Sequence, residues 1–199
     1  MHQPLAYCAL RYLLLWEQHE KELHASMSTT PNLESLRKSL HYFRVSRTFR
    51  GIDNEATANL VLTALLGATD SGDVSPAEAV GQLAVRFTRD FQQNNLSAAT
   101  KLLWLRHRRP FLVYDARAVA ALKDMNYKFD TRSYAEYAEA WISAYKENKD
   151  SVLDAVALLP ALQPFLASWH LSSASIERLV QKPWFRERVF DIFLWERGK

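Results

Sequence analysis

The sequence is poor in cysteine and glycine, and each scarcity excludes a class of protein. Cys8 is the only cysteine among 199 residues, which excludes an internal disulfide and any zinc site that needs two or more thiolates. The five glycines form neither a Walker loop nor a dinucleotide-binding fingerprint, so nucleotide hydrolysis on a phosphate loop is excluded. We therefore expect a protein of the reducing cytoplasm that needs no cofactor.

Long apolar runs are also lacking. The opening stretch MHQPLAYCALRYLLLWEQHEKELH has an apolar run of about ten residues, which is far short of a membrane span. No Lys or Arg cluster precedes this run and no small-residue cleavage site follows it, so we predict neither a signal peptide nor a membrane partner.

Metal-ligand patterns are scarce as well. In HEKELH the two histidines, His19 and His24, stand five residues apart. On an α-helix this spacing turns one side chain about 140° from the other, so the two rings cannot share one zinc ion as they do when the spacing is four. We predict no metal site.

Helix signals recur along the chain, and β-branched residues nowhere form alternating runs. In SPAEAVGQLAVRFTRDF, Ser75 is placed to cap a helix, with Pro76 at its first position and Glu78 completing a capping box. We predict an all-α protein built as a single globular domain over residues 1–199. The predicted helices cover residues 4–25, 33–45, 54–67, 75–92, 97–108, 115–125, 131–147, 150–158, 173–181 and 183–196. Breaks are expected at Pro31, Gly51, 70–73 (DSGD), 94–95 (NN), Pro110, Pro160 and Pro164.

Positive charge is concentrated in two segments. Residues 35–50 contain five cations and no acid, namely Arg37, Lys38, Arg44, Arg47 and Arg50. Residues 101–117 contain Lys101, Arg106, Arg108, Arg109 and Arg117 against Asp115 alone. Because the whole chain has a net charge of only +3, the remainder is acidic. Such segregation indicates either a face that binds a polyanion or two ordinary solvated helix surfaces.

The stretch SAATKLLWLRHRRPFLVYD, residues 97–115, holds the candidate chemistry. Ser97 is predicted to cap a helix, which places Lys101 in or just past the first turn, where the helix dipole disfavours an ammonium. A lysine of this kind is a candidate amine nucleophile. Trp104 lies on the same helical side and is either a core residue or a platform on which a base stacks. Asp115 is placed to cap the next helix, and it could also serve as a base or as an electrostatic partner for a developing cation.

The motifs resemble a family. TKLLWLRHRRPFLVYDARAVAAL resembles the core signature of the bacterial 8-oxoguanine DNA glycosylase-like proteins, distant relatives of the helix-hairpin-helix DNA glycosylases. The C-terminal WFRERVFDIFLWERG, with Arg188, Asp191 and Trp195, resembles the closing segment of those proteins. The resemblance implies a glycosylase-like helical bundle that binds DNA, with Lys101 as the Schiff-base nucleophile and Asp115 as the assisting carboxylate. It implies a base-excision glycosylase or lyase that flips a base from the duplex.

Eight further residues are predicted to contact nucleic acid: Arg44, Arg47, Arg50, Arg106, Arg108, Arg109 and Arg117 at phosphates, and Tyr114, like Trp104, at the extruded base. The glycine hairpin that grips the DNA backbone in the glycosylases is replaced here by FQQNNLSAAT. A non-catalytic helical module that binds nucleic acid or a protein is therefore the alternative. In that alternative Lys101 contacts phosphate and Asp115 only caps a helix.

Overall fold

The computed structural model describes residues 4–68, 74–93, 95–163 and 171–198, and these residues form helices and connections without any strand. The predicted all-α class is confirmed. The predicted turn at 70–73, Asn94 and the predicted break at Pro164 lie outside the described residues.

Helices contain most of the described residues. In chain order they are α1 (Leu5–Leu15), a π-helical turn (Trp16–Glu20), α2 (Lys21–Thr29), α3 (Leu33–Tyr42), a 3-10 turn (Ser46–Thr48), α4 (Glu55–Gly67), α5 (Pro76–Phe91), α6 (Leu96–His107), α7 (Ala116–Asp124), α8 (Tyr134–Ala157), α9 (Leu159–Leu162), α10 (Ser173–Val180) and α11 (Pro183–Arg197).

Several predicted helix boundaries were wrong. The break expected at Pro160 falls inside α9, and the helix expected over residues 4–25 is divided by the π-helical turn and continues to Thr29. Residues 131–147 and 150–158 were expected to form separate helices, whereas α8 runs without interruption from Tyr134 to Ala157. The side chain of Asn148 donates to the Ala144 carbonyl one turn earlier, at 2.8 Å, so this polar residue lies within the helix. The helix expected to begin after Ser97 begins at Leu96, and Asn95 occupies its N-cap position.

The chain divides into two compact units. Unit 1 contains residues 1–17, 115–131 and 136–199, and unit 2 contains residues 18–114 and 132–135. The single domain predicted over residues 1–199 stays a prediction.

Unit 2 is built around α6. This helix packs against α5, α2 and α3, and its leucines Leu102, Leu103 and Leu105 are fully buried. At another point of the core, the ring of Phe49 meets the rings of Phe87 and Phe91 edge-on, each at 5.0 Å between centroids. Ser75 and Glu78 form the predicted capping box that starts α5. Burial of these side chains supplies the main driving force for folding of the unit.

Unit 1 is built around α11, which packs against α1 and α7. Its core contains a buried polar group: Asp191 of α11 accepts a 2.8 Å hydrogen bond from the Trp141 indole and lies 3.6 Å from the Arg188 guanidinium. Arg188 also lies over the ring of Tyr12, at 5.8 Å from its centroid. The residues that resemble the glycosylase closing segment thus include a structural ion pair.

Candidate nucleic-acid interface

Lys101 is a buried residue of α6. Only 7% of it is exposed, and its ammonium nitrogen Nζ donates a hydrogen bond to the hydroxyl of Ser97 one turn earlier, at 2.9 Å. Nζ also lies 5.9 Å from the centroid of the Phe43 ring, which belongs to the end of α3. The side chain is therefore held in one place by two neighbours, as an amine nucleophile would have to be.

Lys101 was predicted in or just past the first turn of a helix capped by Ser97, and it lies two positions farther from the helix start than that cap implied. Since α6 begins at Leu96, Lys101 is its sixth residue and lies in the second turn. The macrodipole effect fades within the first turn, so the helix terminus does not explain the environment of Lys101. Burial and the Ser97 hydroxyl define that environment instead.

Thr100 fixes the extended segment that leads to Asp115. Its hydroxyl accepts a hydrogen bond from the Tyr114 backbone N–H at 3.1 Å, and Thr100 itself is fully buried. Two residues earlier, Leu112 exchanges hydrogen bonds with the Tyr134 hydroxyl, at 2.9 Å to its N–H and 3.2 Å to its carbonyl. Tyr114 is therefore positioned by its backbone and remains partly exposed.

Asp115 caps α7, as predicted. One carboxylate oxygen accepts the backbone N–H of Arg117 at 3.0 Å. Asp115 is the first residue of its segment of unit 1, whereas Lys101 belongs to unit 2. The pairing of these two residues at one site thus stays a prediction.

Trp104 belongs to the core. It is 3% exposed, which agrees with the first of the two roles considered for it. A role in stacking on a base would require this ring to become accessible.

The arginines at 44, 47 and 50 are exposed. Apolar residues close to them in the sequence are buried and hold the segment against the core, which leaves the arginine side chains on its outer side. Val45, Phe49 and Ile52 are buried and anchor the segment that contains the 3-10 turn. Arg37 secures the same segment from α3, since its guanidinium donates to the carbonyls of Ile52 and Asp53 at 3.1 and 2.8 Å. The three arginines lie next to these anchors and are exposed to solvent.

The end of α6 carries the second group of cations. Arg106 and Arg108 are partly buried and Arg109 is exposed. Arg108 has a positive φ of 58°, a strained conformation for a residue with a side chain. Arg117, in unit 1, is exposed and lies over the ring of Trp195, at 4.2 Å from its centroid.

His24 and His107 were not predicted as site residues, yet they lie among these cations. The Nδ1 atom of His24 lies 2.5 Å from the Leu105 carbonyl oxygen in α6. Burial lowers the pKa of His24, and the positive charges of Arg108 and His107 lower it further, against an opposing effect of the Leu105 carbonyl. Burial and Arg106 likewise lower the pKa of His107. A contact across 81 residues gives no signal in the sequence.

The two units differ in charge. Unit 2 contains thirteen Lys and Arg residues against nine Asp and Glu, a net charge of +4, whereas unit 1 contains twelve against thirteen, a net charge of −1. Of the predicted contact residues, only Arg117 lies in unit 1. The net positive charge of the chain therefore arises in unit 2.

Among the described residues, no group of three or more His, Cys, Asp or Glu side chains is arranged to hold a metal ion. Among the same residues, no helix is long and apolar enough to cross a membrane. No family model matches this chain, and neither a curated protein nor a solved structure matches it. The relationship to the glycosylases therefore stays a prediction from the motifs.

Proposed function

We propose that this chain is a DNA-binding protein, and that unit 2 makes the contacts with the phosphate backbone. The observation that carries the proposal is the exposure of Arg44, Arg47 and Arg50 on one anchored segment of the unit that holds the net positive charge. Neutralisation of phosphates by Lys and Arg releases counterions and supplies most of the affinity of non-specific binding.

A charge-matched comparison tests this binding. We expect the triple variant Arg44→Gln/Arg47→Gln/Arg50→Gln to bind duplex DNA more weakly than wild type in fluorescence anisotropy. The control removes three exposed cations of unit 1, Lys123, Lys146 and Lys149, by substitution with Gln. Both variants lose the same charge, so an equal loss of affinity in both would contradict the assignment to unit 2.

The resemblance to the glycosylases extends the proposal to catalysis, with Lys101 as the nucleophile and Asp115 as the assisting carboxylate. At an abasic site the Lys101 ammonium first gives up one proton, and the freed Nζ lone pair attacks the C1′ aldehyde of the opened sugar to form a C–N bond. That proton and a second proton from Nζ leave with the aldehyde oxygen as water when the C–O bond breaks, which gives an iminium ion. The burial of Lys101 and its hydrogen bond to Ser97 support the role, because they fix the amine in one position. Approach of a sugar requires local opening of this buried site.

Borohydride trapping on DNA that contains an abasic site tests the catalytic role. Reduction of the iminium ion leaves a stable protein–DNA adduct, and peptide mapping of that adduct identifies the lysine without any variant. We expect the adduct at Lys101 and none with Lys101→Met, whose fold is checked by thermal melting. An adduct at another lysine would show that the nucleophile is wrongly assigned.

The second candidate function is a DNA-binding module without catalysis. The 7% exposure of Lys101 favours it, as does the use of the Asp115 carboxylate as a helix cap. DNA binding with a steep salt dependence and no trapped adduct on any lesion substrate would select this function.

A further inference from the structure

A cleft of about 550 Å³ opens in unit 2 between α3 on one side and α2 with the end of the π-helical turn on the other. We call it the α2–α3 cleft, and its volume lies within the range of about 300–1,000 Å³ that is typical of small-molecule sites. Gln18, His19, Glu22 and His41 line the cleft and are exposed. A ligand therefore reaches these side chains directly from solvent.

Tyr42 and His19 form an aromatic wall of the cleft, and their ring centroids lie 5.6 Å apart. The Tyr42 ring is fixed before any ligand arrives. Its hydroxyl donates to the buried Glu20 carboxylate at 2.9 Å, and its ring meets the Phe43 ring edge-on, at 4.9 Å between centroids. A wall that is already ordered avoids much of the entropy cost of binding. Nucleobases stack on Tyr and His rings of this kind.

The charged side chains of the cleft balance one another, since it is lined by two cations, Arg37 and Lys38, and two acids, Glu22 and Glu34. Lys38 pairs with Glu34 at 2.8 Å. This pairing raises the pKa of Lys38, and the charge of Glu22 adds a smaller increase. The Arg37 guanidinium already bonds to backbone carbonyls. A lining without net charge suits an uncharged planar ligand better than a phosphate, and Glu22 offers that ligand an exposed carboxylate.

We propose that the α2–α3 cleft binds a nucleobase that carries an exocyclic amino group, with the base stacked on the aromatic wall and its amino group donating to the Glu22 carboxylate. An ionised carboxylate only accepts hydrogen bonds. Adenine, cytosine and guanine each offer amino donors, whereas thymine has none. Gln18 and His41 can each donate and accept, so they complement the ring nitrogens and carbonyl oxygens of the same base.

A free nucleobase and an unpaired base of DNA share this chemistry. For DNA the inference rests on the proposed function, and it adds a position for one base to the phosphate contacts. Arg44 is exposed and follows Tyr42 by two positions, so the Cα atoms of these two residues lie within about 7 Å of each other. The phosphates of a strand whose base enters the cleft are therefore within reach of the exposed arginines of unit 2.

The first experiment compares deoxycytidine with thymidine, two nucleosides of similar size that have no phosphate. The ring resonances of His19 and His41 are followed by NMR at constant pH, with the ring of His24 as the reference outside the cleft. We expect deoxycytidine to shift the first two and to bind about tenfold more tightly than thymidine. Glu22→Gln should remove this preference, whereas Glu55→Gln, at an exposed acid of α4, should keep it. His19→Ala should weaken the binding of both nucleosides. Equal affinities for the two nucleosides, a preference that survives Glu22→Gln, or an affinity that His19→Ala leaves unchanged would overturn the inference.

The second experiment separates a free base from a base of DNA. Short single-stranded oligomers of deoxycytidine and of thymidine are titrated at neutral pH, and the same ring resonances are followed. Shifts of His19 and His41 with the deoxycytidine oligomer, and not with the nucleoside, would support a base held within a strand. Shifts with the nucleoside while neither oligomer binds would support a site for a free nucleobase and would reject the proposed function. Equal shifts with both oligomers, or no shift with any of these ligands, would overturn the inference.

Discussion

The two compact units differ in the partners of their buried charged side chains. In unit 1 the Asp191 carboxylate meets the Arg188 guanidinium and the Trp141 indole, so opposite charges meet inside the core. In unit 2 the buried Lys101 donates to the Ser97 hydroxyl and lies near the Phe43 ring. In this unit the Lys and Arg residues outnumber the Asp and Glu residues. The buried charges of unit 1 are paired within the unit, whereas unit 2 has a net positive charge, which is why we propose unit 2 as the part of the chain that binds DNA.

The largest predicted effect comes from opening the ion pair of unit 1. Asp191→Ala should lower the free energy of unfolding by about 3–5 kcal/mol, because it removes the carboxylate that pairs with the buried Arg188 guanidinium and accepts the hydrogen bond of the Trp141 indole. Chemical denaturation measures the loss. The control Asp154→Ala removes an exposed carboxylate of the same unit and should change little. Equal losses of stability in the two variants would show that the buried Asp191–Arg188 pair does not stabilise unit 1.

A smaller effect is expected at Ser97 in unit 2. Ser97→Ala should cost about 1–3 kcal/mol, because a charged donor in a buried position loses one acceptor. A double-mutant cycle with Lys101→Met isolates this hydrogen bond, since Met keeps the length of the stem without the amine. A coupling energy near zero would show that Ser97 does not hold Lys101.

The smallest effect is expected at Asp115. Asp115→Ala should cost about 1 kcal/mol through loss of the cap, whereas Asp115→Asn should be almost neutral, because Asn caps helices as well as Asp does. Thermal melting of both variants measures the cap. Activity lost in Asp115→Asn at unchanged stability would assign the carboxylate to catalysis, and activity retained there would restrict Asp115 to capping.

Local signals in the sequence predicted most of the helices. The Ser75–Glu78 capping box and the Asp115 cap are confirmed, because a cap depends on residues within a few positions of each other. The polar run around Asn148 was mistaken for a break. Without Gly or Pro, such a run can remain helical when its side chains bond to the preceding turn.

The environment of the candidate site could not be predicted in the same way. Whether Lys101 is exposed depends on the packing of α6 against other helices and on Phe43, which lies 58 positions earlier in the chain. His24 contacts α6 through a hydrogen bond across 81 positions. Helical periodicity carries no information about such contacts, so the basic segments were found from the sequence while the contact of His24 with α6 was not.

The central claim, DNA binding through the cations of unit 2, is tested most directly by a salt titration of wild-type affinity for duplex DNA. The account predicts that log Kd rises linearly with log salt concentration, with a slope of about 0.9 for each phosphate contacted, and that Arg44→Gln/Arg47→Gln/Arg50→Gln reduces this slope. Absence of binding at low salt, or a slope that the triple substitution leaves unchanged, would contradict it.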